Sequence, residues 1–137
     1  MSDQPKNPTQ IAGPSGDAAV QIGSGQPLAI IAGPCVIDHE ETLVEIAQKL
    51  VPICEKLELP LIFKASFDKA NRTRIDSYRG VGLPQGMEIL GRIRDKFGVP
   101  VTTDIHLPEQ AQVVAETCDL LQIPAFLARQ TLSLIHI

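Results

Sequence analysis

The chain has 137 residues, 44% hydrophobic and 20% charged, with a net charge of −4. Such a chain carries one ordinary core, and its balance excludes a disordered polypeptide or a broadly basic nucleic-acid binder, so any basic site must be local. No apolar run approaches the roughly 20 residues of a membrane span, and MSDQPKNPTQ lacks the apolar stretch of a secretory signal.

Residues 1–18, rich in Pro, Gly, Ser and Asp, are expected to form a flexible arm. AAVQIGSGQPLAII offers two short β-prone runs around Gly-Ser-Gly, a hairpin pattern. Its second run, LAIIAGPC, reads as a buried strand stopped by Gly33-Pro34. Asp38 and Glu41 then have the spacing of a capping box, with Asp in place of Ser or Thr. Leu43, Ile46, Ala47, Leu50, Cys54 and Leu57 form one apolar helical stripe. Pro52 inside it predicts a kink or break, and Pro60 closes the segment.

LIFKASF is the next strand, followed by a loop from Asp68 to about Leu83. Met87, Leu90, Ile93 and Phe97 mark a second helix, ended by Gly98 with Pro100 behind it. VPVTTDIH is a third strand. Pro108 opens a helix running to about Thr117, and DLLQIPA is a fourth strand. Strands separated by helices pair in parallel through right-handed crossovers. The order fits either an open doubly wound sheet or a (β/α)8 barrel. A complete barrel needs about 200 residues or more, so on the second reading this is an N-terminal half barrel of four βα units after a β-hairpin. The dinucleotide-binding form of the open sheet loses support because no GxGxxG follows the first strand.

In parallel α/β folds, ligands gather at the carboxyl ends of the strands. The first strand delivers Cys35, the second Lys64 and Ser66, the third Asp104 and His106, and the fourth Gln122, with Arg129 and Gln130 soon after. Four polar strand ends in succession indicate a shared pocket. Between Lys64 and Arg79 stand five cations (Lys64, Lys69, Arg72, Arg74 and Arg79) against two acids, Asp68 and Asp76. On an acidic protein that excess favours capture of an anion with several phosphates or carboxylates. The alternatives are a structural Lys64–Asp104 ion pair, a hydrogen-bonded Asp104–His106 pair, and loop cations that merely face solvent. Cys35 is either a small buried group or a reactive or metal-bound thiol. Cys54 falls on the helix stripe and Cys118 at a helix end, both structural, and the three cysteines have no CxxC spacing.

IAGPC, FKASFDKANRT, SYRGVGLPQGM, VTTDIH and QIPAFLARQT, in that order, closely resemble the 3-deoxy-D-manno-octulosonate 8-phosphate synthases, from about Leu28 to Thr131. The resemblance implies a (β/α)8 barrel that condenses phosphoenolpyruvate with arabinose 5-phosphate in the bacterial cytoplasm, feeding lipopolysaccharide synthesis. It implies that Lys64, Ser66, Lys69 and Gln122 serve the phosphoenolpyruvate side, and Asn71, Arg72 and Thr73 the sugar phosphate. Asp104 would belong to the reaction centre. Arg129 would reach a neighbouring subunit of a homo-oligomer, a tetramer in the full-length protein. Cys35 implies the class that uses a divalent metal, whose other ligands lie beyond residue 137. The tail 132–137, LSLIHI, departs from the family pattern. The related 3-deoxy-D-arabino-heptulosonate 7-phosphate synthases share a GPC-type first strand but carry a different second-strand motif. A Schiff-base aldolase acting through Lys64 and a non-catalytic phosphosugar-binding module are the further alternatives.

Overall fold

The computed structural model describes residues 7–74, 76–130, 134–135 and 137. Two strands, β1 (Thr9–Ala12) and β2 (Ala18–Ile22), form an antiparallel hairpin. Then follow β3 (Ile30–Ala32), α1 (Glu40–Lys56), β4 (Leu61–Lys64), α2 (Leu83–Phe97), β5 (Val101–Asp104), α3 (Gln110–Ala115), β6 (Leu120–Gln122) and α4 (Ala125–Ala128). The last four strands make one parallel sheet in the order β3-β4-β5-β6.

That order decides between the two architectures. A doubly wound sheet reverses its strand order at a switch point and carries helices on both faces. Among the described strands the order never reverses, and the helices cover one face. Phe63, Ala65, Val101 and Ile105 point to that face and pack with Leu43 and Ala47 of α1, Leu90 and Ile93 of α2 and Val114 of α3. Residues of the opposite parity line the inner face: Ile62 and Leu120 at one end of their strands, Lys64, Asp104 and Gln122 at the other. Four consecutive βα units with helices outside are a half (β/α)8 barrel. Its rim strands β3 and β6 each have one neighbour among the described strands, and Ile31, level with Ile62, is 53% exposed.

The hairpin differs from expectation. β2 pairs with β1, not with LAII, so residues 9–18, expected to lie in a flexible arm, are folded. The reason is burial: Ile11 and Val20 face each other across the hairpin and pack with Ile62. This plugs the inner face where the strands begin. Residues 1–6 of the arm lie outside the described residues, as do Thr131 and, in the tail, Leu132, Ser133 and His136.

Helix α1 corrects two further expectations. Its N-cap is His39, and no side chain caps it; Asp38 instead accepts the His39 backbone N–H at 2.7 Å, so the capping box does not form. The helix also runs unbroken through Pro52. Pro52 and Gln48, whose carbonyl loses its partner, are both exposed, so water can take the place of the missing bond. The helix ends before Pro60, with Glu58 in the left-handed region at φ 55°. Helix α2 starts at Leu83, a turn earlier than the apolar stripe indicates, because Pro84 suits a first turn. It ends as expected at Gly98, φ 65°.

Candidate active site

The parallel register sets the chemistry at one pole. Lys64 pairs with Thr102, and Asp104 two residues on pairs with Gln122, so Lys64, Asp104 and Gln122 emerge side by side on the inner face. Lys64 Nζ lies 3.5 Å from Asp104 Oδ1. Beneath them Ser66, fully buried, acts as a hub. Its Oγ accepts from Lys64 Nζ at 2.7 Å and from Lys69 Nζ at 2.9 Å, and donates in a short hydrogen bond to Asp104 Oδ1. A hydroxyl has one proton to give and two lone pairs, so all three bonds can exist together.

Asp104 Oδ2 meets His106 Nε2 at 3.1 Å. The imidazole is fixed from other sides too: its ring stands edge-on to Phe67 with centroids 5.5 Å apart, and its backbone N–H donates to Gln110 Oε1 at 2.8 Å. His106 Nδ1 is buried and has no hydrogen-bond partner among the described residues. Burial alone would raise the Asp104 carboxyl. The Ser66 hydroxyl, the Lys64 charge, its own backbone and His106 together outweigh burial and hold it below the usual carboxylate value.

These groups open into a cleft of about 310 Å³ lined by Lys64, Lys69, Asn71, Asp104, His106 and Gln122, with Pro124 and Phe126 closing one side. Two ammonium groups beside an ionised carboxylate and an imidazole can hold an anion and exchange protons with it. A second cleft, about 290 Å³, lies where the strands begin and is lined by Val51, Cys54, Leu61, Val99 and Pro100. Its two acids, Glu55 and Glu58, have no cation facing them in the lining, so no comparable chemistry converges there.

Not every expected residue joins the site. Arg72, Thr73 and Arg129 are exposed and do not line the cleft. Arg74 and Arg79, read as part of a five-cation anion trap, are already engaged. Arg74 grips Asp76 and Arg79 grips Asp68, each with two guanidinium nitrogens. Local acids satisfy them, which counting charges along the chain could not reveal. Conversely, His106 belongs to the site. Its signal was its position two residues after Asp104 on the same strand end, which left it level with the structural alternative.

Cys35 is an exposed free thiol in the bend after β3, outside the cleft lining. It emerges at the same pole: a Cβ placed on Gly33 would sit 2.1 Å from the Lys64 carbonyl oxygen, so the exits of β3 and β4 touch. Among the described residues no three His, Cys, Asp or Glu side chains stand close enough together to hold a metal ion. Cys35 therefore does not make a metal centre with these residues.

Residues 6–136 match the model of the DAHP synthetase I family. The chain belongs to that family. Among its relatives, a protein of a Cyanothece species called 2-dehydro-3-deoxyphosphooctonate aldolase is 55% identical over 112 residues, 82% of this chain and 41% of the relative. Proteins of the same name from Desulfatibacillum aliphaticivorans and Geotalea daltonii are 53% and 51% identical over the same shares. The chain thus spans about 41% of the length of the curated relatives it matches. The DAHP synthetase I family is built on the (β/α)8 barrel, in agreement with the half barrel seen here.

Proposed function

We propose that these four βα units carry part of the site of a 3-deoxy-D-manno-octulosonate 8-phosphate synthase. The whole protein would join phosphoenolpyruvate to arabinose 5-phosphate in the bacterial cytoplasm. The enol methylene carbon bonds to the sugar aldehyde carbon, water adds at the adjacent enol carbon, and inorganic phosphate leaves. The observation that carries this reading is the Lys64–Ser66–Lys69–Asp104 cluster at the open end of a half barrel. Support for the eight-carbon product comes from the names of the relatives at 51–55% identity.

In this reading Lys64 and Lys69 neutralise the phosphoenolpyruvate anion, and Ser66 keeps the two ammonium groups a fixed distance apart. Such positioning of mutually repelling anions supplies much of a barrier reduction. Asp104 and His106 hold a proton between them at the mouth of the cleft. Gln122 orients the substrate from β6. Asn71, Arg72 and Thr73 contact the sugar phosphate, and Arg129 serves the neighbouring subunit of a homotetramer. A divalent metal would take Cys35 as one ligand, polarise the aldehyde or activate water, and draw its other donors from outside the described residues.

The test is a chimera. The 112 matching residues of the Cyanothece relative are replaced by those of this chain, and phosphate release is followed. Turnover is expected with arabinose 5-phosphate and not with erythrose 4-phosphate; the reverse preference would establish the seven-carbon synthase. Lys64→Met in the chimera should lower kcat/KM by roughly 100-fold or more. Borohydride should trap no covalent adduct; a trapped Lys64 adduct would establish the Schiff-base aldolase instead.

A further inference from the structure

Arg79 and Asp68 stand outside the cleft lining, yet they bind each other across eleven residues of sequence. The guanidinium Nε donates to Asp68 Oδ1 at 2.8 Å and a second nitrogen donates to Oδ2. The same narrow neck is closed in other ways. The Gly82 N–H donates to the Phe67 carbonyl at 3.0 Å, and a Cβ on Gly80 would lie 2.3 Å from that same oxygen. Tyr78 Oη donates to the Ile37 carbonyl at 2.9 Å, and the Ile37 N–H donates to the Ser66 carbonyl at 2.9 Å. The chain therefore leaves the neck just before Lys69 and returns at Tyr78, with both sides tied to Ser66–Asp68. Lys69 and Asn71, which line the cleft, are the first residues beyond it.

We propose that the Asp68–Arg79 pair is a clasp, and that both are positioning residues which preset Lys69 and Asn71 for a phosphoester anion. The inference rests on the anion site proposed above. Two-pronged guanidinium–carboxylate pairs fix orientation as well as distance, which a lysine cannot reproduce. With the neck closed, the loop cations need no ordering when the anion arrives, so its binding loses less to entropy. The clasp also neutralises Arg79, which leaves Lys64 and Lys69 as the cations that face the cleft.

Asp68→Asn makes the sharp test, because its two possible effects have opposite signs. If Asp68 acts only through its charge, removing it strengthens binding of an anion. If it is half of a clasp, removing it weakens binding. The 137-residue chain, Asp68→Asn and Arg79→Lys are titrated with phosphoenolpyruvate, and exchange of the Gly82, Lys69 and Asn71 amides is followed by NMR. The clasp predicts that both variants bind about five- to tenfold more weakly and exchange faster at Gly82, with the far-ultraviolet spectrum unchanged; Asp68→Glu restores part of both. Unchanged or tighter binding by Asp68→Asn overturns it. So does weaker binding of Arg79→Lys without faster exchange, which would make Arg79 a direct ligand. If the unaltered chain binds neither phosphoenolpyruvate nor arabinose 5-phosphate, the anion site falls. Exchange at Lys69 and Asn71 then decides the clasp alone: unchanged rates in both variants refute it.

Discussion

Asp104 balances burial against its neighbours. It is nearly buried, which disfavours its charge, yet Ser66, Lys64 and His106 keep the carboxyl below its ordinary value. A carboxyl whose folded value is depressed contributes stability in full above the unfolded value, and loses it as pH falls through the folded one. Resistance to urea should therefore fall on acidification below about pH 4, and Asp104→Asn should flatten that limb. An acid limb unchanged in the variant would show that the carboxyl is not held by its neighbours. Glu58 is a smaller case. It is the one non-glycine residue with positive φ among the described residues, and it ends α1 where a glycine has no steric cost. Glu58→Gly should raise stability by roughly 1 kcal/mol in urea melts. The strand-end rule found Lys64 and Asp104 in the sequence because extended backbone sends alternate residues to one face. It could not separate Arg79 from Lys69, since a partner eleven residues away is set by where the loop returns.

At the level of elements, an ion pair opposite the site locks the sheet to its surroundings. Arg94 of α2 donates to both Asp119 oxygens at 2.7 and 2.9 Å, and Asp119 also accepts the Val101 backbone N–H at 3.0 Å. Arg94 reaches on to the Gly13 carbonyl at 3.2 Å. One pair thus ties α2, the start of β5, the start of β6 and the hairpin turn. Removing one partner of such a pair leaves the other without compensation. Asp119→Ala should cost about 3 kcal/mol in chemical denaturation, and the hairpin amides should lose exchange protection with it. The element order was legible because apolar runs alternate with a 3.6-residue stripe. The hairpin partner was not, because β1 is exposed at three of its four positions and declares itself only through Ile11, buried against Val20 and Ile62.

For the whole molecule, the fold sorts three chemically identical thiols into different fates. Cys54 is buried in the α1–β4 core, Cys118 is buried after α3, and Cys35 is exposed at the cleft pole. Burial, with the Asp119 charge beside it, pushes the Cys118 thiol up to about 12. In the native chain at pH 8, a disulfide reagent should modify Cys35 alone, with all three reacting after unfolding. Rapid native labelling of Cys118 would mean that the pole opposite the cleft opens readily. Preincubation with a thiolate-binding divalent ion should slow Cys35 labelling if that sulfur takes part in metal binding.

Local pattern alone determined the alternation of elements, the parallel sheet and the identity of four strand-end side chains, because each follows from the spacing of apolar and polar residues along a few turns. The family resemblance was legible for the same reason: its motifs sit at those strand ends. Tertiary structure decided between the open sheet and the half barrel that the spacing left level, and it alone showed that β1 completes the hairpin and that Arg79 closes on Asp68. Those outcomes depend on which distant groups meet when the strands curl and the loop closes, and no spacing along a single chain encodes that meeting directly.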